Sequence, residues 1–278
     1  MQHTHGNLTV EPGGQIHFQR WVPEGEPRAL IIVVHGMAEH SGRYDLFGAA
    51  AAERGLAVAA LDHPGHGYSY GEAAHVDRFS DFLRALGAFH AQEVEAFPGI
   101  PHFLLGHSLG GLISCIYLLQ AQERFAGCVL SGPAIKTEVQ PPAVQMLLIR
   151  LLSLLLPRLG VLQLDAEGVS RVPEEVERYR SDPLNYTGKI SARVVAELFK
   201  AMAEIQARCG EIHLPMLILH GGADRMTDPA GSKLLDEGVK STDKTLHVYP
   251  GLYHEIFNEP ERDSVIDDLL GWLDTRIG

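Results

Sequence analysis

A serine hydroxyl becomes a useful nucleophile only when it is held out from the fold beside a base, and that base needs an anion to fix its tautomer. Two serines in this chain sit in the pattern Gly-x-Ser-x-Gly: Gly67-Tyr-Ser69-Tyr-Gly71 and Gly106-His-Ser108-Leu-Gly110. The second lies between the apolar runs His102-Phe-Leu-Leu105 and Leu112-Ile113, so it reads as a buried strand turning sharply into a helix with Ser108 at the apex. Gly106 and Gly110 lack a Cβ, which lets strand and helix approach closely. Ser69 follows the turn-rich Asp62-His-Pro-Gly-His-Gly67 and precedes Glu72-Ala-Ala-His-Val-Asp77, without strand–turn–helix context. Ser108 is the candidate nucleophile; the plainer reading is a small residue in a tight turn.

On such a turn the expected chain order is serine, acid, histidine, each on a loop after a strand. Of fifteen histidines, only His213, His220, His247 and His254 lie late enough. His247 falls inside a strand-like run, and His213 and His220 precede any later acid loop. His254, in Tyr249-Pro-Gly-Leu-Tyr-His254, follows the last strand and precedes the last helix. Asp224 follows the run 215–220 through Gly221-Gly-Ala223. Its competitor Asp228 precedes Pro229 and reads as a helix N-cap. The oxyanion donors should be the backbone N–H of Leu109 and that of Met37, in the loop His35-Gly36-Met37. His35, His63, His66 and His107 have no carboxylate or cysteine framework around them, so no metal is expected, and no cofactor.

The elements that must position these residues alternate. Leu8–Glu11 and Ile16–Val22, around Pro12-Gly13-Gly14, read as a hairpin. Ala29–His35 is a continuous β-branched run, the mark of a strand buried on both faces. Helix 44–54, strand 56–61, helix 79–97, strand 102–105, helix 109–123 and strand 127–130 follow, and strands 215–220 and 245–249 with helix 261–277 close the chain. The expected fold is α/β: a mostly parallel eight-stranded sheet flanked by helices, with sites beyond the carboxyl ends of strands. Residues 133–214 break the rhythm and read as a helical cap inserted into a core of 1–132 and 215–278. Within the cap, Val144–Leu156 is almost wholly apolar but too short to span a bilayer. It is either a helix buried in the cap's own core or a lipid-facing one making transient peripheral membrane contact.

A net charge of −12 and no basic run longer than a dipeptide argue against a nucleic-acid partner and against electrostatic docking on anionic lipid. Cys115, Cys128 and Cys209 are odd in number and lack metal spacing, and the first residues form no signal peptide. The expected location is cytoplasmic, with peripheral membrane association through 144–156 as the lipid-facing variant.

Taken jointly, His35-Gly-Met-Ala-Glu-His-Ser-Gly-Arg-Tyr44, Asp62-His-Pro-Gly-His-Gly67, Gly106-His-Ser-Leu-Gly110, Tyr179-Arg-Ser-Asp-Pro-Leu184, Gly222-Ala-Asp-Arg225 and Tyr253-His254 resemble the monoacylglycerol lipase-like α/β-hydrolases over nearly the whole chain. The resemblance implies a triad of Ser108, Asp224 and His254 with Met37 and Leu109 as oxyanion donors. It also implies a lipid monoester substrate whose acyl chain lies under the cap, with Glu39, Arg43, His107 and Tyr179 on the glycerol side. For Glu39 and Arg43 a purely structural loop pair is the alternative. Vertebrate members carry a second histidine three residues past the catalytic one, here Phe257, and a cysteine near the acid, here Thr227. The expected activity is hydrolysis of monoacylglycerol to fatty acid and glycerol. A lysophospholipase, general carboxylesterase or peptidase with the same triad, and a non-catalytic binding protein, are the alternatives.

Overall fold

The computed structural model describes residues 1–11, 14–137 and 142–277. In chain order the elements are β1 (Gln2–Val10), β2 (Gly14–Val22), β3 (Leu30–Val34), α1 (Asp45–Glu53), β4 (Ala57–Leu61), α2 (Ser80–Ala96), β5 (His102–His107), α3 (Leu109–Ala121) and β6 (Gly127–Ser131). Then come α4 (Ala143–Leu155), β7 (Gly160–Gln163), α5 (Pro173–Ser181), β8 (Lys189–Ser191) and α6 (Ala192–Arg208). The last are β9 (Met216–Gly221), α7 (Pro229–Gly238), β10 (Lys244–Tyr249) and α8 (Arg262–Asp274).

Eight strands form one sheet in the order β1-β2-β4-β3-β5-β6-β9-β10. The β1–β2 and β2–β4 pairings are antiparallel and the others parallel. The continuous apolar run of β3 is buried at every position because both faces of the sheet are covered. Side chains alternate between the faces. Leu30, Ile32 and Val34 join a core that includes Phe82 and Phe89 of α2 and Leu112 of α3. Ile31 and Val33 join another with Phe47 of α1 and Leu269 of α8. Fully burying each such side chain is worth roughly 1.5–3 kcal/mol, which fixes the register of the central strands. β4 and β5 flank β3 on opposite sides, so connections leave in opposite directions and a crevice opens beyond the carboxyl ends of β3 and β5.

Three expectations change. The opening hairpin is longer, because β1 starts at Gln2 rather than Leu8; of its expected turn, Pro12 and Gly13 lie outside the described residues. The stretch between β6 and β9 holds, besides its helices, the antiparallel pair β7–β8, whose halves lie too far apart in sequence to announce each other. The apolar helix α4 is not buried in a core of its own. It packs through Ile149 and Ser153 and leaves Val144, Leu147, Leu148, Leu151, Leu154 and Leu155 exposed. No helix among the described residues is long and apolar enough to cross a membrane.

Candidate active site

Ser108 stands between β5 and α3 with φ 52° and ψ −117°, a left-handed conformation that a residue with a Cβ adopts only where its surroundings enforce it. They do. Its N–H donates to Ser131 O at 3.0 Å, and its carbonyl accepts from Gly111 N, Leu112 N and Ala134 N. The elbow depends on missing side chains: a Cβ on Gly110 would lie 1.8 Å from Val34 O. On the opposing loop, a Cβ on Gly36 would lie 3.2 Å from Ser108 Cβ, so the 36–39 turn rests directly against the serine. Leu109 opens α3 and has no i−4 partner. Among the described residues, neither its N–H nor that of Met37 has a hydrogen-bond acceptor.

Two other strand ends deliver the acid and the histidine. Asp224, beyond β9, receives Met226 N and Thr227 N on Oδ1, at 2.7 and 3.0 Å. On Oδ2 it receives His254 Nδ1 at 2.7 Å and Thr227 Oγ1 at 2.8 Å. His220 Nε2 approaches the same oxygen at 3.2 Å. Burial acts to raise this carboxyl, but His254 and His220 outweigh it and hold the group well below the usual carboxylate range. Conversely, burial acts to lower His254, and Asp224 outweighs it with help from Glu255 and Glu39, leaving the imidazole above its ordinary 6.5. With Nδ1 committed to Asp224, Nε2 is the ring nitrogen left for chemistry.

A buried ion chain runs beside this pair. Glu39 Oε1 accepts from Gly36 N at 2.6 Å and from Tyr44 Oη at 3.1 Å; Glu39 Oε2 faces Arg43 Nε at 3.3 Å. Arg43 then pairs with Glu255, the residue after His254. The Arg43 guanidinium lies 4.9 Å from the centre of the Tyr179 ring. His107 donates from Nδ1 to Ser131 O at 3.0 Å; burial and the neighbouring His254 push it well below its ordinary value, so it is neutral. Ser108, His254, Glu39, His107, Met37, Leu109 and Tyr179 all line one cavity. The same cavity is also lined by the apolar Leu162, Leu164, Ile190, Val195, Leu198, Phe199 and Met202. Arg43 lies in an adjoining smaller chamber with Glu255 and Phe257.

The family model Hydrolase_4, described as serine aminopeptidase S33, matches residues 25–261. The monoacylglycerol lipase of Mycolicibacterium smegmatis is 38% identical over 261 residues, covering 94% of this chain and 93% of that protein. The monoglyceride lipase of Homo sapiens is 37% identical over 271 residues, covering 96% and 89%. The crystal structure of Paleococcus ferrophilus monoacylglycerol lipase superposes with a TM-score of 0.84 at 30% identity, over 99% of this chain and 100% of that one. This chain belongs to the monoacylglycerol lipase-like family of α/β-hydrolases.

Within this monoacylglycerol lipase-like chain the competing residues are occupied elsewhere. Ser69 donates to Asp62 O at 2.6 Å and accepts from His17 N at 2.9 Å, tying the 62–71 loop to β2. Asp228 caps α7 by accepting from Ala230 N and pairs with Lys136. His213 and His247 face Glu123 and Asp268. The structure sets three more residues against the site: Thr227, read from sequence only as replacing a cysteine, His220, set aside as the base, and Glu255, not singled out at all. Thr227, four-fold engaged, meets Asp224, Gly132 O, His220 and His254. His220 has Ser232 Oγ on its other nitrogen at 2.6 Å. Glu255 holds Arg43 and Asn258. The short spacings His220–Asp224 and Asp224–Thr227 were signals of a sort; the 212-residue separation of Arg43 and Glu255 was none.

Proposed function

We propose that this chain is a serine ester hydrolase that converts monoacylglycerol to fatty acid and glycerol through an acyl-Ser108 intermediate. The observation that carries the reading is the His254–Asp224 bond beside a left-handed Ser108, with both serine and imidazole on one mostly apolar cavity. His254 Nε2 takes the Ser108 proton as Oγ attacks the ester carbonyl. The oxyanion forms between the N–H groups of Met37 and Leu109, donors each worth on the order of a hundred-fold in rate. Collapse breaks the bond to glycerol, whose oxygen takes the proton from His254. A water then gives its proton to His254, attacks the acyl carbon and releases the fatty acid, returning the proton to Ser108. Asp224 stabilises the imidazolium throughout.

In this reading residues 133–214 form the cap, the apolar wall from 162 to 202 receives the acyl chain, and Glu39, Arg43, His107 and Tyr179 lie on the alcohol side. The names of the relatives and the apolar cavity support a lipid monoester. The exposed leucines of α4 are read as docking transiently on a lipid surface. Leu162, on β7, is likewise exposed and also lines the cavity, and the charge of −12 makes such docking hydrophobic rather than electrostatic. The test is a substrate panel of mono-, di- and triacylglycerol and lysophospholipid with labelling by a fluorophosphonate. Turnover of monoacylglycerol and labelling at Ser108 are expected. Labelling with preference for lysophospholipid would move the reading to a lysophospholipase, and no labelling of folded protein would remove the hydrolase reading.

A further inference from the structure

Next to Met37, Ala38 has φ 65°, one of three left-handed non-glycine residues among those described. A Cβ makes that conformation unfavourable, so something must hold it. Its carbonyl accepts two hydrogen bonds, both from one stretch far along the chain: Tyr179 Oη at 3.2 Å and Tyr186 N at 3.0 Å. The same stretch holds the next turn of the loop, through Asp182 Oδ2 and His40 Nε2 at 3.0 Å. It is itself closed by Asn185 Nδ2 on Tyr179 O and Leu184 N on Asp182 Oδ1. From inside, Glu39 reaches back past Ala38 to grip Gly36 N–H. Were Ala38 to relax to a negative φ, Glu39 would be carried away and the 36–39 turn would open.

We propose that Tyr179 and Asp182 are positioning residues for the oxyanion loop: by clamping Ala38 and His40 they fix the Met37 N–H where the ester oxyanion forms. The inference rests on the acyl-serine reading above, and it gives the Tyr179 hydroxyl a role other than touching the glycerol. The Tyr179→Phe variant keeps the ring over Arg43 and loses only the hydroxyl. A monoacylglycerol and a p-nitrophenyl ester of the same acyl length separate the two roles, because p-nitrophenol has no hydroxyl of a glycerol to bind.

Positioning predicts that kcat falls about tenfold on both esters with KM unchanged, part of what losing a whole oxyanion donor costs. It further predicts that Tyr179→Phe with Ala38→Gly recovers most of the loss, since glycine takes φ 65° without strain. Asp182→Asn, which weakens the other tether, should show a smaller fall with the same split and serves if Tyr179→Phe does not fold. An unchanged kcat, a loss confined to the glycerol ester, or no recovery in the double variant overturns the proposal. Wild-type protein inactive on both esters would overturn the hydrolase reading itself, and this inference with it.

Discussion

The end of the sheet that carries Ser108, Asp224 and His254 and the outer face of α4 follow opposite rules. At the sheet end, charged and polar side chains are buried, and most are bonded to two or more partners: Asp224 alone receives two backbone N–H groups, a hydroxyl and a histidine. On α4, large apolar side chains face outward, Val144 at 80% and Leu147 at 67% exposure, with none of the described residues over them. Each inverts what burial alone favours. Buried charge is tolerated where a network compensates it and chemistry needs its field; exposed leucine is tolerated where another surface can cover it. The two regions should therefore fail separately: one should lose chemistry, the other access to substrate held in lipid.

The largest separation comes from Ser108→Ala. It should lower kcat by roughly 10⁴-fold or more on every ester, with the melting temperature little changed. Residual activity near wild type would break the comparison at its root. Next, Leu147→Ser with Leu151→Ser should reduce vesicle binding and turnover of vesicle-borne monoacylglycerol by about tenfold or more, since each leucine withheld from an apolar surface forfeits up to ~2 kcal/mol. The same variant should hydrolyse a soluble short-chain ester as wild type does. A parallel loss on the soluble ester would show that the two regions are not independent.

Thr227→Val keeps the shape and removes the hydroxyl shared by Asp224 and Gly132 O. A net bond of about 1 kcal/mol is at stake, so kcat should fall several-fold while the preference for long acyl chains stays as it was. The smallest effect lies in pH. His254 is held above 6.5, in part by the Glu255 charge, and acts as a base only when unprotonated. Activity should therefore fall as pH drops through a value above 6.5. Glu255→Gln removes a charge that favours the imidazolium, so the acid limb of kcat/KM should move to lower pH. A limb that stays in place or moves up would show that Glu255 does not act on His254 through its charge.

Much of the scaffold was legible because its signals are local. The β-branched run 30–34 and the apolar runs at 102–107 and 216–221 are buried on both faces and read so without partners. The pattern around Ser108 was informative only with its flanks, since Ser69 carries the same five-residue spacing in a loop pinned to β2. β1 was half missed because, at an edge of the sheet, its residues 2–9 never become fully buried and its histidines and asparagine read as loop. Likewise, α4 gave two readings because composition states that a helix is apolar, not which way its leucines point. Of the ion chain, Glu39 and Arg43 stand four residues apart and read as a loop pair, whereas Arg43–Glu255 and the clamp on Ala38 join residues brought together only by the complete fold, and no spacing encodes those.

The histidine loop does not stand alone on the sheet. His254 N–H donates to Gly168 O at 3.4 Å and Glu255 N–H to Val169 O at 2.8 Å, so the stretch between β6 and β9 props up His254 as well as lining the cavity. That sets where the chain can be cut in making hybrids. A graft replacing everything from 133 to 214 would remove the prop under His254 along with the cavity-lining residues of that stretch. An exchange of α4 alone would leave the prop in place, a modular boundary well inside the apparent insertion.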